Sequence, residues 1–323
     1  MPKVKELAKK DAEGQAITPA QRQLVDAATV IRQDPADASA AFMARHLVQC
    51  TLPHSDPGRD APRWMRRSGN AVLVIRPGWD AANDRPAGYP YGVIPRLVLF
   101  WLITELVHQK DRADLTPEQK RTVYLGRSLY DFMHRIGLDP QRGGKRSDRT
   151  RLQDQMQRLF RATISFDVVK EVDGRRVEKW LDMKVAPEGE IWWDTTNARQ
   201  STLWESVIVV SEQFYKAVTA IPVPVDERAL RALKRSPLAL DLYALLSYTT
   251  FVARKIGEPI FVSWHALAGQ LGGHYEDVDN LKKKVQGALP KVRVVYPGLD
   301  LRTRDGGFDV LPTGQPAIAP RRA

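Results

Sequence analysis

The chain has 323 residues, of which 43% are hydrophobic and 27% are charged, as in an ordinary globular protein. Its 49 lysines and arginines outnumber its 38 aspartates and glutamates, which leaves a net charge of +11. A single cysteine, Cys50, excludes an intrachain disulfide and a cysteine-based metal cluster, and we expect its thiol to be buried or inert. The positive charge favours a polyanionic partner, although a basic protein without such a partner is the alternative.

No segment has the pattern of a membrane span or an export signal. The longest strongly apolar run, 97–103, is far shorter than the roughly 18 residues that a span needs. The charged residues near the N-terminus are followed by further charges rather than by an apolar region. We therefore expect a cytoplasmic protein without a membrane partner.

The length predicts two domains and a leader, at roughly 150 residues per domain. Thr18 and Pro19 are a good N-cap and first helical position, and they predict a helical leader that reaches about Cys50. The prolines and glycine of 51–58 predict a turn-rich connector, which continues into a strand at 72–75. The predicted divisions are a helical or partly disordered leader at 1–50, a first domain with the connector at 51–220, a second domain at 221–312 and a disordered tail at 313–323.

In the first domain, apolar residues spaced by three and four predict a largely buried helix from Gly92, a second helix at about 127–136 and a third from Ser147. A strand from Thr163 then leads to a hairpin turn at 173–174. Three helices followed by a hairpin is the order of a winged-helix domain. Further elements close the domain, namely strands at 191–193 and 207–210 and a helix capped by Ser211.

The same order of elements recurs in the second domain. Pro222 and Pro224 predict a stiff hinge before it, because proline fixes φ and lacks a backbone donor. Pro290 is expected to end or kink the third helix, which would put Lys291 in the first strand of the wing. The predicted elements are helices from about 237, at 264–271 and at 278–289, and a hairpin from 292–295 and 299–311 that turns at 305–307. The predicted fold class is therefore α+β, with two tandem winged-helix domains (helix-turn-helix with a β-hairpin wing) behind a helical leader.

The third helix of the first domain is strongly basic. At about 100° per residue its apolar residues lie on one side and its polar and basic residues on the other, so we expect the basic face to be exposed. Arginine matches phosphate and guanine edges, and glutamine can pair with adenine. The candidate DNA-binding residues are Lys145, Arg146, Arg149, Thr150, Arg151, Gln157, Arg158 and Arg161. A basic helix that only faces water is the alternative.

The third helix of the second domain is the other candidate. An asparagine near its start suits adenine readout, and lysines suit phosphate contacts that fix the register of a protein on DNA. Its candidate residues are Asn280, Lys282, Lys283, Lys284 and Gln286, again with a solvated helix as the alternative. Weaker candidates are the hairpin arginines, which could reach the minor groove or the backbone, at Arg175, Arg176, Arg302 and Arg304.

Catalytic patterns are missing from the sequence. The segment 143–146 lacks the earlier glycine and the hydroxyl residue after lysine that a nucleotide-binding loop requires. The six histidines never occur two apart, so the paired-histidine metal site of rolling-circle nucleases is missing. We expect His265 to be an ordinary helix residue and Trp192 and Trp193 to be core residues. The sequence therefore predicts a non-enzymatic protein with no catalytic residue, cofactor or metal.

Long segments of the chain resemble the RepA family of plasmid replication initiators and, more distantly, TrfA and iteron-binding Rep proteins. The resemblance runs from about residue 48 to 312. It is carried by the stretches TLPHSDPG (51–58), YGVIPRL (91–97), TRLQDQMQRLF (150–160) and PVPVDERALRALKRSPLALDLYALLSY (222–248).

The resemblance implies tandem winged helices that bind directly repeated double-stranded sites, the iterons, at a plasmid origin. It further implies local melting of the origin, recruitment of the host replication initiator and the replicative helicase, and a bacterial cytoplasmic protein associated with plasmid or nucleoid. Related proteins dimerise through the first domain to repress their own gene and act as monomers at the origin. Two rival interpretations are a winged-helix transcriptional repressor at an inverted repeat, and a nuclease or primase whose site is assembled from scattered carboxylates.

Overall fold

The computed structural model has the mixed α+β class that the sequence predicts, with helices arranged around several small antiparallel sheets. None of the helices that it describes is both long and apolar enough to cross a bilayer. The structure describes residues 18–35, 38–126, 128–140, 147–172, 175–191, 206–273 and 277–318, without the side chains of 169–172 and 176.

The elements are numbered in chain order. The helices are α1 (Pro19–Gln33), α2 (Arg45–Gln49), α3 (Val93–Lys110), α4 (Leu129–Arg135), α5 (Asp148–Arg161), α6 (Glu212–Ala220), α7 (Glu227–Leu233), α8 (Pro237–Ile256), α9 (Trp264–Gln270) and α10 (Val278–Val295). The strands are β1 (Ala40–Ala44), β2 (Trp64–Ser68), β3 (Ala71–Arg76), β4 (Trp79–Asp80), β5 (Arg85–Pro86), β6 (Thr122–Tyr124), β7 (Thr163–Val172), β8 (Arg175–Lys184), β9 (Glu188–Glu190), β10 (Val207–Val209), β11 (Pro222–Asp226), β12 (Ile260–Ser263), β13 (Leu301–Arg304) and β14 (Gly307–Val310).

The leader begins with the predicted helix and then departs from the prediction. Thr18 Oγ1 accepts the amide of Gln21 at 3.3 Å, and the Gln21 side chain accepts the amide of Thr18 at 2.8 Å, which together cap α1. The prediction of helix as far as Cys50 is wrong, because α1 ends at Gln33 and strand β1 follows. Cys50 itself is buried, and burial raises the pKa of its thiol to about 11.

Strand β1 takes its partner from far along the chain. It pairs antiparallel with β11, so that Ala40 lies opposite Asp226 and Ala44 opposite Pro222. The segment predicted to be a stiff hinge at Pro222 and Pro224 is therefore a paired strand. Each strand of this two-stranded sheet has a neighbour on one side only. On the other side no strand needs a hydrogen-bond donor, so a proline, which lacks the backbone N–H, is tolerated there.

In the first domain the cap residues place the helices as predicted. Ser147 Oγ accepts the amide of Thr150 at 3.2 Å and begins α5, and Ser211 Oγ accepts the amide of Phe214 at 3.1 Å and begins α6. Helix α3 is buried on nearly all sides, as its apolar sequence predicts. Strands β7 and β8 form the predicted hairpin, although its turn at 173–174 and the tryptophans 192–193 lie outside the described residues.

The hairpin of the first domain joins the connector. The connector strands β2 and β3, of which β3 contains the predicted strand 72–75, extend the hairpin into a four-stranded sheet of order β2-β3-β7-β8. The short strand β6 pairs instead with β10, in a three-stranded sheet of order β6-β10-β9. The connector is thus part of the same sheet as the hairpin.

The segment predicted to be the second domain contains α8, β12, α9, α10 and the hairpin β13–β14, with the strand order β12-β14-β13. The prediction that 292–295 is a strand is wrong, because α10 continues through Pro290 to Val295, and Lys291 lies in the helix. Pro290 removes one helical donor, and the carbonyl oxygen that loses it belongs to Gln286, an exposed residue that water can solvate. The turn at 305–306 is as predicted, and Gly306 takes a φ of +73° that favours glycine.

Part of the tail predicted to be disordered, 313–323, is ordered, and residues 319–323 lie outside the described residues. Residues 313–318, expected to be disordered, run along the second domain. Gln315 donates its amide to the carbonyl oxygen of Gly298 at 2.8 Å and accepts the Tyr296 hydroxyl at 2.9 Å. Arg254 also donates to the carbonyl oxygen of Gly314 at 2.8 Å.

A buried ionic cluster ties the connector to the long helices α3 and α8. Arg96 of α3 donates through Nε and Nη2 to the two carboxylate oxygens of Asp241 in α8, at 2.7 and 2.8 Å. His54 of the connector donates through Nε2 to the same carboxylate at 2.8 Å, and Arg96 Nη2 also donates to the carbonyl oxygen of Leu52 at 2.6 Å. Burial opposes ionisation of Asp241, but Arg96 and His54 hold its pKa at about 2. An ionised pair therefore joins α3 to α8 inside the protein.

Candidate nucleic-acid interface

The exposed face of α5 contains most of the residues that the sequence proposed for it. Its apolar side, formed by Leu152, Met156, Leu159 and Phe160, is buried as predicted. Thr150, Arg151, Gln157 and Arg161 are exposed, and Arg149 is half-buried. Arg161 is additionally fixed by a 2.8 Å hydrogen bond to the carbonyl oxygen of Trp79. Lys145 and Arg146 lie outside the described residues.

Arg158 does not lie on this exposed face, and the prediction that it does is wrong. Its side chain is only 8% exposed and forms ion pairs with Asp154 at 2.9 Å and with Asp56 at 3.0 Å. The guanidinium also lies 5.2 Å from the ring centre of Tyr91 and within 3.4 Å of the Tyr89 carbonyl oxygen. These connector groups fold over the helix, which its own periodicity does not reveal. Arg158 therefore holds α5 against the connector instead of facing solvent.

We expect Arg158→Glu to lower the free energy of unfolding by about 2–3 kcal/mol, because it places a third carboxylate beside Asp56 and Asp154. The value is below that of a fully buried pair because both aspartates are partly open to water. Urea denaturation measures this loss of stability. The control is Arg151→Glu on the exposed face of the same helix, which breaks only a solvent-exposed ion pair with Asp148 and should lower stability by less than about 1 kcal/mol. Equal stability of the two variants would contradict the structural role.

Helix α10 presents the second candidate surface. Asp277 caps the helix by accepting the amide of Asn280 at 2.6 Å, and the apolar side containing Leu281 and Val285 is buried as predicted. Lys283 and Lys284 are exposed and form no ion pair with any residue that the structure describes. Gln286 is exposed, whereas Asn280 and Lys282 are half-buried. The helix thus offers unneutralised positive charge to solvent.

The hairpin arginines differ between the two domains. Arg175 is exposed on β8, and the side chain of Arg176 lies outside the described residues. Arg302 and Arg304 of β13 are exposed, and both form ion pairs with Asp309 of β14, at 2.9 and 3.4 Å. Arg302 and Arg304 therefore lie together in the structure, and both contact Asp309, a residue that the sequence analysis did not identify.

The sequence did not lead us to two sets of charged residues, although one set has a recognisable sequence pattern. Arg96 and Asp241 are opposite charges that stand alone within long apolar helical runs, a pattern that predicts a buried ion pair. Nothing local identifies Asp309 or Asp56 as partners of arginines. Among the described residues, no cluster of three or more His, Cys, Asp or Glu side chains is placed to hold a metal ion.

Comparison with known proteins identifies the family. The family model described as plasmid encoded RepA protein matches residues 89–265, which run from just before α3 into α9 and include α5. The chain belongs to this family of plasmid replication initiators. The RepA match ends before α10, so the lysine-rich helix lies outside the matched span.

Other comparisons add little to the RepA assignment. No curated protein sequence matches the chain. A crystal structure of selenomethionine derivatives of domains 2 and 3 of RctB is similar over 82% of this chain and 94% of that one, with 12% identity and a TM-score of 0.46. A second crystal structure of RctB domains 2–3 is similar over 81% and 93%, with 13% identity and a TM-score of 0.43.

Proposed function

We propose that this RepA-family protein initiates plasmid replication by binding directly repeated double-stranded sites, the iterons, at the plasmid origin. Each domain acts as a winged helix, and α5 and α10 enter successive major grooves on one face of a repeat. Bound protein promotes local melting and recruits the host replication initiator and the replicative helicase. The protein acts by binding alone, without catalysis, in the bacterial cytoplasm. A homodimer formed through the first domain, which represses the protein's own gene, completes the proposal.

The order of elements in the second domain supports the winged-helix assignment. Helix α8, strand β12, helices α9 and α10 and then a hairpin follow one another, and β12 pairs with the second hairpin strand. Because a winged helix has its recognition helix and wing in this order, the order supports the proposal that α10 is the recognition helix and β13–β14 the wing. The first domain has the corresponding helices and hairpin, but its hairpin pairs with β3 rather than with β6. The assignment is therefore supported more strongly in the second domain.

The observation that carries the proposal is the unneutralised lysine face of α10. Lysines that face solvent without an acidic partner attract phosphates and release the counterions bound to DNA. Asn280, in the first turn of the same helix, is suited to pair with an adenine edge. Phosphate contacts then set the position of the protein on DNA, and the asparagine contributes to sequence choice.

A protection footprint of the full chain on the origin region, repeated at several salt concentrations, tests this function. We expect protection of directly repeated sites. With about 6–10 phosphate contacts, log K should fall against log salt with a slope between about −5 and −9. A flat salt response contradicts phosphate-driven binding. Protection only of an inverted repeat at a promoter favours a repressor, and metal-dependent cleavage or primer synthesis favours an enzyme.

A further inference from the structure

We propose that Asp309 is a positioning residue, which holds Arg302 and Arg304 as an ordered pair on the outer face of the second hairpin, ready to contact DNA phosphates. The inference rests on the proposed function and deepens it. It assigns to the hairpin a phosphate clamp built from two arginines and one buried carboxylate.

The register of the three-stranded sheet places these side chains together. Strand β14 lies between β12 and β13, and Asp309 lies opposite Arg302 on one side and opposite Phe261 on the other. Directly opposed residues share a face of an antiparallel sheet, and Arg304, two residues from Arg302, shares it as well. The opposite face carries buried residues, including Phe308 and Val310. The four polar and aromatic groups therefore form the outer face.

Exposure and distance show that the carboxylate is enclosed by the arginines that it holds. The Asp309 side chain is 2% exposed, whereas those of Arg302 and Arg304 are 64% and 60% exposed. Arg302 donates through Nε at 3.2 Å and Nη2 at 2.9 Å to one oxygen, and Arg304 donates through Nη1 at 3.4 Å to the other. The hydrogen bond from Arg302 lowers the pKa of Asp309, so the group stays ionised at neutral pH. The guanidinium of Arg302 is thus held along one edge and that of Arg304 by one N–H group, and both keep further N–H groups toward solvent.

The surroundings of the pair are rigid as well. The guanidinium carbon of Arg304 lies 4.7 Å from the ring centre of Phe261, which supports the planar group from one side. At Gly307 a Cβ would collide with the carbonyl oxygen of Val262, so β12 and β14 approach more closely there than a side chain allows. Arginine side chains lose rotamer freedom when they bind, and an arginine that is already ordered loses less. The clamp therefore strengthens phosphate binding by preorganisation.

Simple charge counting and the positioning role predict opposite effects when the carboxylate is neutralised. Asp309→Asn removes one negative charge from the DNA-facing surface, and by charge alone DNA binding should become tighter. If Asp309 positions the arginines, binding should become weaker although the surface is more positive. The sign of the change in Kd thus distinguishes a pure charge effect from the positioning role.

The experiment measures Kd for a duplex that contains the directly repeated origin sites, using the full chain. We expect Asp309→Asn to raise Kd about 3- to 10-fold. The matched control is Asp305→Asn, which makes the same charge change at an exposed position in the turn of the same hairpin and should leave Kd unchanged or slightly lower. Thermal unfolding of both variants shows whether they are folded.

A second set of variants keeps the test decisive if Asp309→Asn folds poorly. Arg302→Lys with Arg304→Lys keeps both charges but removes the planar forks, and should raise Kd by a similar factor. Adding Asp309→Asn to this double variant should then leave Kd unchanged. If Asp309→Asn instead damaged the hairpin in general, Kd of the triple variant would rise further. Tighter binding by Asp309→Asn, as in the control, overturns the positioning role alone. Failure of the unaltered protein to bind origin DNA overturns the proposed function itself.

Discussion

Asp241→Ala is expected to lower the free energy of unfolding by about 3–5 kcal/mol, because it leaves the charge of Arg96 buried without its partner. The Arg96 side chain is 3% exposed and that of Asp241 is 8% exposed, so water cannot replace the lost carboxylate. The hydrogen bond from His54 is lost as well. Urea denaturation followed by fluorescence measures the effect.

Two comparisons show that the loss comes from the unpaired charge. Glu258→Ala removes an exposed carboxylate and should change stability by less than about 0.5 kcal/mol. Arg96→Leu with Asp241→Leu should recover part of the loss, since an apolar pair can replace a buried ion pair. Because the pKa of Asp241 is held at about 2, below its ordinary 3.8, its contribution is complete above about pH 4 and is lost as the pH falls toward 2. An Asp241→Ala variant as stable as the unaltered protein would show that the cluster does not stabilise the packing of α3 against α8.

Lys283→Ala with Lys284→Ala is expected to weaken binding to the repeated origin sites about 30-fold at 0.15 M salt, because two phosphate contacts are lost. The same loss should reduce the magnitude of the salt slope by about 1.8, at about 0.9 per contact. Both lysines are exposed and form no ion pair with a described residue, so stability should be unchanged. Binding is measured by a fluorescence titration at several salt concentrations.

The matched control removes two positive charges from elsewhere on the surface. Lys216→Ala on α6 with Lys255→Ala at the end of α8 changes the net charge equally and involves exposed residues. Its effect on Kd should be several-fold smaller, and its salt slope should match that of the unaltered protein. If both double variants weaken binding equally, α10 has no special role and only the total charge matters.

The starts of the helices and the composition of their faces could be predicted because they depend on neighbours within one turn. Thr18, Ser147 and Ser211 begin helices since each side chain accepts the amide three residues ahead. The apolar spacing of α10 likewise predicts the exposure of Lys283 and Lys284. The same apolar spacing continues through Val292 and Val295 and therefore predicts a helix beyond Pro290. The prediction of a helix end at Pro290 was wrong because it relied on the proline rather than on this spacing.

Contacts between distant segments could not be predicted in this way. Strand β1 exists because residues 40–44 meet residues 222–226, and a strand partner so far away leaves no local pattern. The hairpin of the first domain joins connector strands for the same reason.

Local sequence patterns were thus sufficient to predict the mixed class, the order of helices and hairpins, the basic surface of α10 and the resemblance to RepA initiators. Which cations face water depends instead on how distant segments pack. Arg158 and Lys283 both stand on the polar side of an amphipathic helix, yet Arg158 is enclosed by Asp56 and Tyr89, whereas Lys283 is exposed. The helical period determines on which side of a helix a residue lies. Whether another segment covers that side depends on the path of the connector, and this path is set only when the whole chain packs.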